Sequence, residues 1–343
     1  MSQKVKYVDE KSQIPIFGLD FAGIIDRGTN IVELKPITIC NLHCKYCFVR
    51  AGDYQTNFIV SADYLVKNSR KLVEVKGHHD IEIHIAPYGE IFAYKELYNL
   101  LESLWSINGV ERISMQTNGL LLNEQIIQRL EELNLTRLNI SLNTFNEKKA
   151  KYLANCVSYD MNSLLKNIES LLETNINVLL APVWFPGEND SDIEDIIQFV
   201  LEKRSQGHSQ KEMQIGVQKY LIYKTGRKLK KIRPKTWGYF YQQLAELEEK
   251  YHIKLKLGPN DFGIHERTLY SPNLDQEDII PVKIISEGRW NRECIGKVDE
   301  NFAVKVLLNS PLKFKSQLIG KVIDTKIIKS RSRDNLITSY LPF

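Results

Sequence analysis

Eight residues, Cys40-Asn41-Leu42-His43-Cys44-Lys45-Tyr46-Cys47, put three cysteines at CxxxCxxC spacing directly after the strand-like run Val32 to Ile39. Three thiolates on one short loop narrow what the surrounding chain can be. A four-iron, four-sulfur cluster takes four Cys ligands when fully ligated. Three would hold three of its irons and leave the fourth open to a substrate or cofactor. A structural zinc site is the competing reading, and it needs a fourth Cys or His to close its tetrahedron. His43 lies inside the loop, but its place beside Cys44 is poor spacing for a common tetrahedron.

The chain has 343 residues, enough for one large domain and a small one. No apolar run approaches a membrane span, and the polar N-terminus lacks an apolar secretory segment. Five cysteines, three of them committed to the loop, argue for a reducing compartment over a disulfide framework. A cytoplasmic protein with no membrane partner is therefore expected. Net charge is only +4, but it is uneven: residues 279–343 carry 12 Lys and Arg against 6 Asp and Glu. A near-neutral body with a basic C-terminal segment suggests a module for a polyanion; a solvated basic tail is the plainer alternative.

Along the chain, residues 1–30 read as an N-terminal extension ending in a turn at Asp26-Arg27-Gly28. Residues 31–252 then alternate strand and helix patterns. Strands are expected at Val32–Ile39, Ile81–Ala86, Arg112–Gln116, Arg137–Leu142, Ile176–Val183 and Gln214–Leu221. Helices are expected between them, with Ser61 and Asn123 as N-caps, and a last one over Thr236–Tyr251. Six such units imply a parallel sheet built from right-handed crossovers. Residues 253–278 are turn-rich and read as a linker. From 279 to 343 five short strands without a helix, at Ile280–Ile285, Cys294–Val298, Ala303–Leu308, Leu318–Ile327 and Leu336–Leu341, predict a small OB-type barrel.

CxxxCx(aromatic)C after a strand resembles the radical SAM superfamily. The resemblance implies an α/β fold with a partial (βα)6 TIM-type barrel, here followed by the small all-β barrel. It implies a [4Fe–4S] cluster on Cys40, Cys44 and Cys47, with the open iron chelated by S-adenosylmethionine (SAM). One electron from the cluster then cleaves SAM to methionine and a 5′-deoxyadenosyl radical. An electron donor such as a ferredoxin or flavodoxin is implied as a partner. The chain is also similar to an archaeal group of radical SAM proteins, through Ile25-Asp26-Arg27-Gly28-Thr29-Asn30, Gln218-Lys219-Tyr220 and Gly226-Arg227. The run Leu318 to Asp324 looks like a TRAM domain, a small barrel common in RNA-modifying enzymes.

The same resemblance implies the SAM contacts. Tyr46, before the last cysteine, would pack near the adenine. In Ala86-Pro87-Tyr88-Gly89-Glu90 the family often has Gly-Gly-Glu; Tyr88 replaces the first glycine, so Gly89 and Glu90 carry the match to the loop that holds the SAM amino group. Asn118, within Gln116-Thr117-Asn118-Gly119, would line the pocket, or the glycine simply closes a turn. Ser141 and Asn143 share one strand face and suit the ribose and carboxylate. Val217 and Gln218 fall on the sixth strand.

Two basic runs suggest nucleic-acid binding. Lys224, Arg227, Lys228, Lys230, Lys231, Arg233 and Lys235 follow the sixth strand with no acid among them, between Tyr223 and Trp237. Lys313, Lys315, Lys321, Lys326, Lys329, Arg331 and Arg333 lie on the C-terminal module. Cations with nearby aromatics serve phosphate backbones and unpaired bases. RNA, chiefly tRNA, is the expected partner and its modification the expected activity. The alternatives are a protein, peptide or small metabolite as substrate, or a non-catalytic RNA-binding metalloprotein. Cys156 and Cys294 have no companions for an auxiliary cluster and read as small buried hydrophobes.

Overall fold

The structure is a computed structural model that describes residues 3–309, 313–331 and 333–341; the side chain of Arg331 lies outside the described residues. The chain forms two compact units. The first comprises Met1–Cys40, Asp53–Ile113 and Ile264–Phe343, the second Asn41–Gly52 and Ser114–Gly263.

In chain order, the elements are β1 (Lys4–Val8), β2 (Gly23–Asp26), β3 (Ile31–Lys35), β4 (Thr56–Val60), α1 (Ala62–Lys76), β5 (Ile81–Ile85) and α2 (Leu97–Trp105). Next come β6 (Val110–Thr117), α3 (Glu124–Glu132), β7 (Arg137–Ile140), α4 (Glu147–Ala154), α5 (Met161–Leu172), β8 (Asn177–Leu180) and β9 (Val183–Trp184). Then follow α6 (Asp190–Ser205), β10 (Met213–Ile215), β11 (Gln218–Lys219) and α7 (Trp237–Tyr251). The chain closes with β12 (Ile279–Glu287), β13 (Glu293–Lys297), β14 (Ala303–Leu307), β15 (Val322–Arg331) and β16 (Asp334–Tyr340).

One sheet has the order β10-β8-β7-β6-β5-β3-β2. The pairs β3–β5, β6–β7, β7–β8 and β8–β10 are parallel. The six expected strand positions are all present, so the α/β core stands as read from the sequence. Its helices start where their caps say: Ser61 accepts from the Tyr64 amide (3.2 Å), Asn123 from Ile126 (2.9 Å) and Thr236 from Tyr239 (3.2 Å). Each cap satisfies an N–H that the helix itself leaves unpaired.

Three strand boundaries differ. The first core strand stops at Lys35, four residues early, because Pro36 has no N–H to continue a ladder. The sixth breaks after Ile215, and Gln218–Lys219 pairs separately with Val183–Trp184. In the barrel, Leu318–Ile327 is not one strand: Ser316–Leu318 is a 3-10 turn and the strand begins at Val322. The N-terminal extension also contains pairing that alternation alone did not reveal. β1 runs parallel to β4, and β2 is an antiparallel edge beside β3.

The C-terminal strands close into a barrel of order β12-β13-β14-β16-β15, antiparallel except for β14 with β16. Val282, Ile284, Val304, Val306, Ile327 and Ile337 fill it. This is the five-stranded Greek-key architecture expected of an OB-type module.

A buried ion pair ties the first unit together. Lys76, at the end of α1, donates to Asp26 Oδ1 (2.6 Å) and to the Thr29 carbonyl (2.6 Å), with both charged side chains fully buried. Asp26 also accepts from the Gly28 amide (2.8 Å) and the Tyr270 amide (2.7 Å), and its own amide donates to Asn335 of β16 (3.0 Å). Removing one partner leaves the other charged and buried. Lys76→Met should therefore lower unfolding free energy by about 3–5 kcal/mol, read from denaturant or thermal unfolding; a loss below about 1 kcal/mol would show that the pair is solvated.

Candidate functional site

The cysteine loop has no ladder of its own, so its backbone polar groups must find partners elsewhere. In the second unit Arg227 supplies many of them. Its guanidinium donates to the carbonyls of Cys44 (2.6 Å) and Ala51 (2.8 Å), and its amide donates to the Cys47 carbonyl (2.8 Å). A third guanidinium nitrogen meets His43 Nε2 at 3.0 Å. Arginine can only donate, so Nε2 is the acceptor there and the ring proton sits on Nδ1. The lone pair that the zinc reading would assign to metal is thus engaged. Gly226 lets this turn approach: a Cβ there would stand 2.6 Å from the Phe48 carbonyl oxygen.

Tyr46 is fixed from three sides. Its hydroxyl accepts from Asn143 Nδ2 (2.6 Å), its ring lies 4.8 Å from Phe185, and it packs on the cluster Leu153, Phe185, Tyr220 and Leu229. Burial first, then the neighbouring Cys44, push its phenol well above the usual range, so it stays neutral. Asn143 in turn accepts from the Val183 amide at Oδ1 (2.7 Å), and its carbonyl accepts from buried Asn189 (3.1 Å). Both ends of the Asn143 amide are occupied, so it orients Tyr46 and the Val183 backbone. Ser141 accepts from Gln116 (3.1 Å), and Asn118 donates to Asn41 of the loop (2.8 Å). Val217 is half-buried between β10 and β11, and Gln218 is exposed, its amide on the Pro182 carbonyl (2.7 Å).

In the first unit, Cys40 follows Ile39, and the Gly89-Glu90 loop is stitched to the same segment. The Gly89 amide donates to Ile37 (3.1 Å) and the Glu90 amide to Ile39 (2.8 Å). A Cβ on Gly89 would sit 1.9 Å from the Ile39 carbonyl oxygen, so only glycine permits this approach. The Glu90 side chain is buried and accepts from the Phe92 amide (3.2 Å), capping the next turn.

The five cysteines form no disulfide. Cys40, Cys44 and Cys47 are partly exposed, and so, against the expectation of burial, is Cys156, which follows α4 and meets the Ser158 hydroxyl at 3.4 Å. Cys294 is fully buried as expected, its thiol pushed up to about 12 by burial and then by Glu293. Among the described residues no group of His, Cys, Asp and Glu is drawn together as ligands of a single ion would be. A four-iron cluster takes one thiolate per iron and does not ask for such convergence. Three half-exposed thiols on one braced loop, with a glycine-tight loop bound to the residue before the first of them, suit that donor set.

The Radical SAM superfamily model matches residues 34–200. A relative from Methanocaldococcus jannaschii, an uncharacterized protein, is 30% identical over 99% of this chain and 81% of its own length. The chain belongs to the radical SAM superfamily. It is also similar to the GTP 3′,8-cyclase of Peptoclostridium acidaminophilum, 28% identical over 59% of either protein. The chain thus spans little more than half the length of the cyclases it matches. Among solved structures, HydG, a maturase of the [FeFe]-hydrogenase, superposes with a TM-score of 0.53 at 13% identity. That match covers 70% of this chain and 52% of HydG. It shows the shared fold.

Radical SAM proteins use a [4Fe–4S] cluster and SAM and need a reductant. When bound, the cluster supplies the electron that cleaves SAM. The protein's part is to hold and exclude. Cys40, Cys44 and Cys47 are the thiolates that would take three irons, and Arg227 fixes the backbone that carries the latter two. Tyr46 is oriented by Asn143 and stays neutral.

Sequence alone groups Arg227 with the phosphate-binding cations; the structure places its guanidinium on the cysteine loop. The Gly226-Arg227 pair marks the place, and the close approach to Phe48 explains the glycine. Asn189 was missed as well, because a buried amide inside a turn has no distinctive sequence pattern. Arg227→Met should speed loss of iron to a chelator by about tenfold, as outer-shell substitutions do. Arg227→Lys should restore little of it, because an ammonium lacks the planar fork. Iron retention equal to wild type in both variants would contradict the bracing role.

Proposed function

We propose that this radical SAM enzyme modifies RNA, with tRNA the leading substrate. The observation that carries this reading is a band of cations and exposed aromatic side chains in the second unit. Lys224, Lys228, Lys230, Lys231, Arg233 and Lys235 are all exposed. Beside them Tyr223, Trp237, Tyr239 and Tyr241 expose between 41% and 52% of their surface, unusual for side chains of that size.

Trp237 stacks on Tyr241 (5.8 Å) and Tyr239 on Trp184 (6.0 Å). Lys219 stands 4.9 Å over Trp237, and Lys235 5.3 Å over Tyr239. Ammonium groups set over aromatic planes suit a strand whose phosphates pair with lysine while its unpaired bases stack. A base inside a duplex would first have to be unstacked to reach a radical.

The C-terminal barrel is proposed as a TRAM-like second contact. Lys313, Lys315, Lys321 and Arg333 are exposed there, and Lys329 is half-buried. Lys326 pairs with Glu277 (2.5 Å), and the Arg331 side chain lies outside the described residues. A ferredoxin or flavodoxin is proposed as the reductant, in the cytoplasm; among the described residues no helix is long and apolar enough to cross a membrane.

Similarity to proteins named GTP 3′,8-cyclase favours one other reading, in which the same lysines receive the phosphates of a small nucleotide. The two separate on the salt dependence of binding. Replacing Lys224, Lys228, Lys230, Lys231 and Arg233 together by Gln should weaken tRNA binding and reduce the slope of log K against log salt by about 3–5. Modified nucleosides compared by mass spectrometry, with and without the gene, should show one species missing. Weak tRNA binding with an unchanged slope, or consumption of GTP in place of any nucleoside difference, would sink the RNA reading.

A further inference from the structure

A second buried charge network links the Gly89-Glu90 loop to the barrel, and no radical chemistry or RNA contact accounts for it. All of it lies in the first unit. Tyr88 occupies the position at which the radical SAM loop often has glycine, and its hydroxyl donates to Asp20 Oδ2 (3.2 Å). Asp20 Oδ1 accepts from Lys305 of β14 (2.9 Å) and faces the Arg289 guanidinium at 3.7 Å.

Arg289, in the turn between β12 and β13, is almost fully buried. It forks onto Glu293 with two bonds of 3.1 Å. Its guanidinium lies over three rings, at 4.3 Å from Phe21, 5.5 Å from Tyr54 and 5.6 Å from Tyr88. Lys35 stands 5.3 Å over Tyr88, pairs with Glu33 (2.5 Å) and donates to the Ala86 carbonyl. Tyr88 thus has two cations near its ring, one from the sheet and one from the barrel.

Burying so many charges is expensive unless each is paired. Burial would raise the Asp20 carboxyl, yet Arg289 and Lys305 override it and hold the group well below the usual range. Burial and then Asp20 push the Tyr88 phenol far above its ordinary value, so it remains a neutral donor. Each charge has an opposite partner: Arg289 and Lys305 face Asp20, Arg289 also holds Glu293, and Glu33 is shared by Lys35 and Arg27. Such a network has one geometry, and Tyr88 is the member that belongs to the loop.

We propose that the C-terminal barrel is a buttress of the SAM-binding loop, with Arg289, Lys305 and Asp20 as positioning residues. They act through Tyr88 on the backbone of Gly89 and Glu90. A tyrosine is retained where glycine would suffice for the loop itself, because only a side chain can reach Asp20 and the barrel cations. The barrel is thereby part of the machinery that sets affinity for SAM, whatever substrate its outer surface meets. This rests on the assignment of Gly89-Glu90 to the SAM amino group.

The test uses full-length, anaerobically reconstituted protein and three variants: Tyr88→Phe, Lys305→Met and Arg289→Lys. Release of 5′-deoxyadenosine under dithionite gives KM for SAM and kcat; hydrogen exchange follows the amides of Gly89, Glu90 and the barrel strands. The buttress predicts a KM for SAM raised about two- to tenfold, the range of one lost hydrogen bond. It predicts a smaller change in kcat, and faster exchange at Gly89 and Glu90 while β12 to β16 stay protected.

If Arg289→Lys exposes the barrel amides, Tyr88→Phe and Lys305→Met decide. Wild-type KM and wild-type exchange at Gly89 and Glu90 in a protected barrel would overturn the proposal. Faster exchange with wild-type KM would overturn it too, and would place the error in the SAM assignment of the loop.

Discussion

The grip of Arg227 on the cysteine loop is the interaction from which the site in the second unit follows. A loop that must present thiolates cannot also bury them, and it has no neighbouring strand to satisfy its carbonyls. One planar guanidinium supplies donors in three directions, which a lysine could not do. The Tyr46–Asn143 contact extends the grip: the tyrosine that closes the loop is tied to the end of β7 and, through Val183, to β9. Each residue in that chain has its rotamer fixed by a neighbour, the condition for a preorganised site.

The first unit reaches the same end by a different route. There the backbone does the work, with Gly89 lying so close to Ile39 that no side chain fits. Around that contact a layer of matched charges joins the N-terminal segment, the sheet and the barrel. Removing Glu293 would leave the buried Arg289 guanidinium without its two short bonds, which is costlier than the pair is stabilising. The barrel strands are therefore folded into the same compact unit as residues 1–40. A module joined by a bare linker would need no buried arginine.

Much of the core was legible in the sequence because its signals are local. The caps Ser61, Asn123 and Thr236 mark helix starts, and hydrophobic runs between turns mark the buried parallel strands. Cysteine spacing, with the Gly89-Glu90 and Thr117-Asn118-Gly119 loops downstream of it, carried the resemblance. Roles that depend on distant partners were not legible. Arg227 reads as one more cation in a basic run, and only the fold brings it to a loop some 180 positions earlier in the chain. Tyr88 reads as a lapse from a glycine motif until Asp20 and Arg289 are seen around it. The pairing of β1 with β4 was hidden for the same reason, since short alternating segments do not name their partners.

Whether the braced cysteine loop holds a SAM-cleaving cluster is tested most directly by SAM turnover in anaerobically reconstituted protein reduced with dithionite. The protein should be brown and release 5′-deoxyadenosine and methionine, and a Cys44→Ala variant should release neither. A colourless, zinc-loaded protein that leaves SAM intact would contradict that assignment.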